Sequence, residues 1–219
     1  MGRRTRLKTA AALNALLVIL ECVAMAYNLH DSGLAALRFY TVDSNLLSLI
    51  ASALFVVFAV RSLKRGTAVP GWVRMLRFVA TSCLAVTLII VVTVLYPMLG
   101  DLHYLLFVRG LLYNHTLCPV LAAVTQIFFE TEPPLEKKNA LLVPAVTFLY
   151  GLVAVSLNLA RVLYGPYPFL HVYEIPVWES VFWYVLILSG SWAIARGIVF
   201  LNRLAGRKQQ KRIGGTDNE

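Results

Sequence analysis

The sequence predicts an all-α polytopic membrane protein, six transmembrane helices in one bundle with both termini cytoplasmic, and three observations predict it. Of the residues, 59% are hydrophobic and only 14% charged, with a mean hydropathy of +0.72, whereas about a quarter of a soluble domain is charged. Apolar runs of the roughly 20 residues that a bilayer core requires fall at 9–29, 40–60, 77–97, 110–129, 140–160 and 177–200. All of the 20 basic residues except Arg38, Arg109 and Arg161 lie at the termini or at alternate connections, the asymmetry of the positive-inside rule. Domain 1–203 is thus the membrane bundle, and 204–219 is expected as a basic, disordered cytoplasmic tail that can rest on anionic lipid.

Each element has its own reason. Arg3, Arg4, Arg6 and Lys8 anchor the first run. That run also resembles a secretory signal, with Ala24-Met25-Ala26 at cleavage distance. Its length, Asn14 and Glu21, and the odd helix count its removal would leave favour a retained span. The second connection, with Pro70-Gly71, carries Arg61, Lys64, Arg65, Arg74 and Arg77 as inside-flank residues. "ETEPPLEKKN" reads as a solvated turn whose two prolines stop one helix before the next. Pro97, Pro119 and Pro144 each free a backbone carbonyl that a neighbour has to satisfy. In the last run, Ser189, Ala193 and Gly197 recur every fourth residue, the spacing of a close helix approach. It is read as a seam within the chain, with a dimer face as the alternative.

A net charge of +9 raises nucleic-acid binding, but these basic residues flank spans and are not interleaved with exposed aromatics, so no nucleic acid is expected. Cys22, Cys83 and Cys118 are isolated and read as packing residues. No metal site is expected, because the histidines lack ligand spacing and no acidic residue accompanies His115.

The second run opens on "RFYTVDSNLLSLIAS", where Thr41, Asn45, Ser48 and Ser52 are spaced by four, three and four residues. They share one helix face, which must look into the bundle. Ser48 and Ser52 are read as interhelical hydrogen-bond glue. Thr41 lies at the depth of His115, the one histidine inside a span, and a hydroxyl beside an imidazole is the minimum for nucleophilic catalysis. Glu21 is the only carboxylate expected deep in a span; it pairs with Asn14 or Asn158, orients a catalytic group, or relays a proton.

"FYTVDSNLL", "HTLCPVL" and "YGPYPFLHV" together resemble the bacterial six-helix membrane proteins sometimes called the Pr-six-Pr family. Those are distantly similar to the animal androgen-induced and androgen-dependent TFPI-regulating proteins, hydrolases of fatty acid esters of hydroxy fatty acids that use a threonine and a histidine. The resemblance rests on Phe39, Tyr40, Thr41, Ser44, Asn45 and Leu46, on His115 and Pro119, and on Tyr167 to Leu170. It implies Thr41 as nucleophile and His115 as base. Beside that pair, Asn45, one turn below Thr41, is expected as an orienting or oxyanion-stabilising donor, with Ser44, Glu21 and His171 as further supporting residues. The chain departs from the pattern at Thr125 and His171, where acidic residues are expected.

The expectation is therefore a plasma-membrane protein with a polar-headed, apolar-bodied pocket in its extracytoplasmic half. It would hydrolyse a lipid ester without a cofactor, with membrane lipids as partners and an acyl ester as substrate. The alternative is a non-catalytic protein binding a lipid or a protein partner through the same cavity. A transporter ranks third, since no inverted repeat is apparent. Substrate identity and oligomeric state are not written in the sequence.

Overall fold

Where no water reaches the backbone, a chain that closes its hydrogen bonds within each segment is helical, and no strand occurs among the described residues, 2–214, of this computed structural model. Five helices are long and apolar enough to cross a bilayer: α1 Arg3–Ser32, α2 Tyr40–Arg65, α3 Gly71–Leu99, then, after two shorter ones, α6 Lys137–Leu159 and α7 Val177–Gly214. The shorter helices are α4, Leu102–Phe107, and α5, made of Leu112–Leu117 and Cys118–Phe128. Burial differs from that of a water-soluble bundle on the outside and along the axis. Leu149, Val153, Val177, Val185 and Phe200 face outward at 50–80% exposure, while Asn14, Ser48, Arg77 and Thr81 are fully enclosed. So large an apolar exterior belongs against lipid.

The run expected at 110–129 differs from the other five. Its helix follows directly on Arg109, which turns the chain with φ 47°, and after Gly110 and Leu111 it widens into a π-helical stretch, Leu112–Leu117. Proline supplies the reason. A proline ring clashes with the carbonyl four residues back and has no N–H to offer. Widening the preceding turn moves that carbonyl away, and the residue just before the proline then bonds five residues back. Cys118 N–H donates to the Tyr113 carbonyl ahead of Pro119, and Tyr96 N–H to the Val91 carbonyl ahead of Pro97, where Val91–Leu95 is π-helical too. Pro144 leaves no such mark, because it lies in the first turn of the α-helix Leu142–Leu159, where the missing N–H is no loss.

Three expectations about the ends and faces are corrected. Arg77 and Arg6, taken as inside-flank residues, are 0% and 3% exposed. Arg77 pairs with buried Glu130 at 3.4 Å, and Arg6 with Glu132 at 3.0 Å and with the Thr131 hydroxyl at 2.8 Å. The tail expected to be disordered from 204 continues α7 to Gly214, because Gln209 hydrogen-bonds to Arg6 and to the Phe128 carbonyl, and Gly206 packs on Thr131. Residues 215–219 lie outside the described part. Ser189 and Ala193 are exposed, and nothing stands within 4 Å of a Cβ at Gly197; the buried face of α7 is instead Ser191, Ala195, Ile198 and Asn202.

Candidate functional site

Thr41 stands in the first turn of α2, 7% exposed, and lines a cavity of about 670 Å³ counted with its open mouth. The walls come from α3, α6, α7 and the loop after α6, with Val91, Leu95, Phe169, Trp183 and Ile187 as the apolar body. Thr41, Tyr40, Thr147 and Tyr167 are among the few polar residues of its wall. An apolar body with a few polar groups in its wall is the form of a small-molecule site. Gly151 helps to shape it. A Cβ there would meet the Tyr184 hydroxyl at 2.8 Å, so only glycine lets that ring lie on α6.

Tyr167 is the side chain that meets Thr41. The Thr41 N–H donates to the Tyr167 hydroxyl oxygen at 3.3 Å, and the two hydroxyls are 3.5 Å apart. With its oxygen accepting from the Thr41 N–H, the Tyr167 O–H has its proton to donate, to Thr41 Oγ1 or into the cavity. Phe169 stacks on Tyr167 with centroids 5.2 Å apart, and Phe39 meets it edge-on, which holds the phenol in place. No role for Tyr167 was legible beforehand, because only the folded loop 161–176 brings it over α2.

His115 is buried in the π turn of α5 and is absent from the cavity wall. Its Nδ1 lies 2.6 Å from the Leu105 carbonyl, and the neighbouring Thr116 hydroxyl donates to the Leu106 carbonyl at 2.8 Å. Both cap carbonyls at the C-terminal end of α4, which would otherwise be orphaned. A carbonyl only accepts, so Nδ1 carries the proton and Nε2 is left as the basic nitrogen. Truncating His115 to Ala strands a buried carbonyl and is expected to cost about 1–3 kcal/mol. Thr116→Val should cost a similar amount, both read by thermal unfolding in detergent.

Asn45 joins the two halves. Its Nδ2 donates to the Thr41 carbonyl at 2.7 Å and to the carbonyl of Asn114, the residue before His115, at 3.3 Å. Thr41 and His115 themselves share no hydrogen bond among the described residues. Ser44 donates to the Thr41 carbonyl and lies 3.0 Å from the Thr87 hydroxyl, the bond that ties α2 to α3. Ser48 and Ser52, expected as glue, have no hydrogen-bond partner although both are 0% exposed.

The remaining expected residues lie elsewhere. Glu21 is 1% exposed, with Ser48 and Cys118 beside its carboxyl and no partner of normal geometry for either oxygen. Asn14 and Asn158, its expected partners, are engaged with Glu130 and with the Leu170 carbonyl. His171 folds the outer loop: its Nε2 donates to the Gly165 carbonyl at 3.0 Å, and its Nδ1 lies 3.1 Å from the Tyr164 hydroxyl. That hydroxyl donates to Glu174 at 2.7 Å, a contact that raises the Tyr164 phenol above its ordinary range. The Thr125 hydroxyl is spent on the Leu121 carbonyl of its own helix. No cluster of His, Cys, Asp and Glu able to hold a metal occurs among the described residues. No family model, curated protein or solved structure matches this chain.

Proposed function

We propose that the protein takes the acyl chain of a membrane lipid into the cavity at Thr41 and hydrolyses its ester there. The observation that carries this is the placement of Thr41, a buried residue whose hydroxyl lies in the wall of a largely apolar cavity. An acyl tail fits the apolar body, which leaves its ester carbonyl beside Thr41 Oγ1 and the Tyr167 O–H. In the reaction Thr41 Oγ1 attacks the carbonyl while His115 Nε2 takes its proton. Tyr167 donates to the developing oxyanion, and the leaving alcohol departs with the proton from His115. Water then repeats the sequence on the acyl-threonine, releasing the fatty acid and restoring both residues. The π turn carrying His115 is the element that has to bring Nε2 to Thr41 in the liganded state, and such turns often stand at functional sites.

The topology proposed with it is six crossings of the plasma membrane, with both termini cytoplasmic and the cavity in the extracytoplasmic half. Arg6 near one terminus hydrogen-bonds to Gln209 near the other, the same-end placement that an even number of crossings requires. It makes α5 a short sixth crossing.

A second reading is favoured by Tyr167, which holds the contact at Thr41 that a catalytic histidine would need. In that reading the cavity binds a lipid without turnover. A fluorophosphonate probe applied to purified protein separates the two. Labelling that Thr41→Ala abolishes at unchanged membrane abundance supports hydrolysis. Unlabelled wild type that still binds a fluorescent fatty acid leaves binding alone, and labelling that persists in Thr41→Ala removes Thr41 as nucleophile.

A further inference from the structure

The lipid site leaves unused a second set of polar groups, enclosed along the bundle axis below Asn45. The Ser44–Thr87 hydrogen bond registers α2 against α3. Ser48 and Ser52 then descend α2 on successive turns while Thr81 and Arg77 descend α3. Glu21 of α1 stands at the Ser48 level, and Glu130 closes the lower end by accepting from Arg77 and Asn14.

Along this column the unpartnered atoms are both Glu21 carboxyl oxygens, the hydroxyls of Ser48, Ser52 and Thr81, both Arg77 Nη groups and Glu130 Oε2. The first five residues are at most 1% exposed, and Glu130 is 6% exposed. Such groups are costly to bury dry, and buried water, which makes about two to four hydrogen bonds per molecule, is the usual way to satisfy them. The two ends differ. At the lower end Glu130 also lines an open cleft of about 480 Å³ between Arg6, Arg74, Phe129 and Glu132, so the column meets solvent there. At the upper end Asn45 is bonded to two carbonyls, Asn28 and Asn114 exchange amide hydrogen bonds, and Tyr27 stacks on Tyr113. That end is sealed.

We propose that the column is a hydrated path by which protons reach Glu21 from the end of the bundle that carries Arg6 and Gln209, and from that end alone. Hydronium at the cleft gives up a proton, each water passes one on as it receives one, and the Glu21 carboxylate becomes a carboxylic acid. The step balances with water alone. The groups facing the carboxyl are Ser48 from α2, Cys118 from α5 and Arg77 from α3. Loading Glu21 therefore changes the charge of an interior otherwise held by the Arg77–Glu130 pair, which makes Glu21 a one-sided proton-binding site. Apart from Thr87, whose bond to Ser44 sets the register, no residue that lines the cavity at Thr41 enters the inference.

Infrared spectroscopy of the protein in liposomes tests it. Wild type should show a protonated-carboxyl band that responds to bulk pH, is missing in Glu21→Gln, and shifts within seconds of mixing with D2O. Ser52→Leu, which plugs the column between the cleft and Glu21, should slow that shift at least tenfold. Should that variant misfold, Thr81→Val keeps the shape, removes one hydroxyl and should slow it several-fold. Asn28→Ala, at the sealed end, should leave the rate of the plugged protein unrestored. A wild-type band that exchanges only over hours, no Glu21 band at any neutral or mildly acidic pH, or rates unmoved by the column variants would each overturn the proposal. Restoration of fast exchange by Asn28→Ala would overturn its one-sidedness.

Discussion

Glu130→Ala is expected to destabilise the protein by about 3–5 kcal/mol, because it leaves Arg77 as an uncompensated buried cation. Arg77 is 0% exposed, and its Nε donates to Glu130 Oε1 at 3.4 Å while neither Nη group has a partner. The same carboxylate oxygen accepts from Asn14 at 2.9 Å, so the truncation breaks contacts with both α1 and α3. Glu130→Gln keeps an acceptor for both donors but loses the charge, and should fall between wild type and Glu130→Ala. Replacing both partners, Arg77→Met with Glu130→Leu, removes the charge problem altogether. The double variant should recover most of the loss, since buried pairs exchanged for apolar residues are often near neutral. Thermal unfolding in detergent gives the order of the three. Glu130→Ala as stable as wild type would mean that the pair is not buried as described.

The second large effect is expected at Gly165, in the loop that closes the cavity at Thr41. A Cβ there would lie 2.5 Å from the Leu170 carbonyl oxygen and 2.7 Å from Asn158 Nδ2, two atoms bonded to each other at 2.9 Å. Neither can yield cheaply, one being backbone and the other buried on α6. Gly165→Ala must therefore open the Asn158–Leu170 bond and displace the segment that carries Tyr167, Phe169 and Leu170 into the cavity wall. A cost of about 1–3 kcal/mol is expected from the overpacking, together with a loss of fatty-acid binding of tenfold or more. Gly190→Ala is the control, because nothing stands within 4 Å of a Cβ at that position. Unchanged binding in Gly165→Ala would show that the loop does not form the site.

Several features were readable from the chain alone, and each is a local property. Helical class and the long apolar spans follow from composition and run length. The inward face of Thr41, Asn45, Ser48 and Ser52 follows from spacing, and all four are buried. His115, expected inside a span, is buried. Proline positions signalled disturbed helices, correctly at Pro97 and Pro119.

Only tertiary structure decided what those residues touch. Tyr167 reaches Thr41 across 126 positions of sequence, and Arg77 reaches Glu130 across 53; no periodicity records such a meeting. Charge counting put Arg6 and Arg77 at the membrane surface, since a cation beside an apolar run ordinarily marks its end. A buried partner reverses that reading, and the partner lies on another helix. For the same reason Ser48 and Ser52 looked like glue: spacing shows which face a hydroxyl shares, whereas its hydrogen bond depends on whether the facing helix offers an acceptor at that level. The sequence by itself determined which groups point inward. Packing determined which of them find a partner on another helix, because a hydrogen bond needs two atoms within about 3 Å, and between helices only the packing sets that distance.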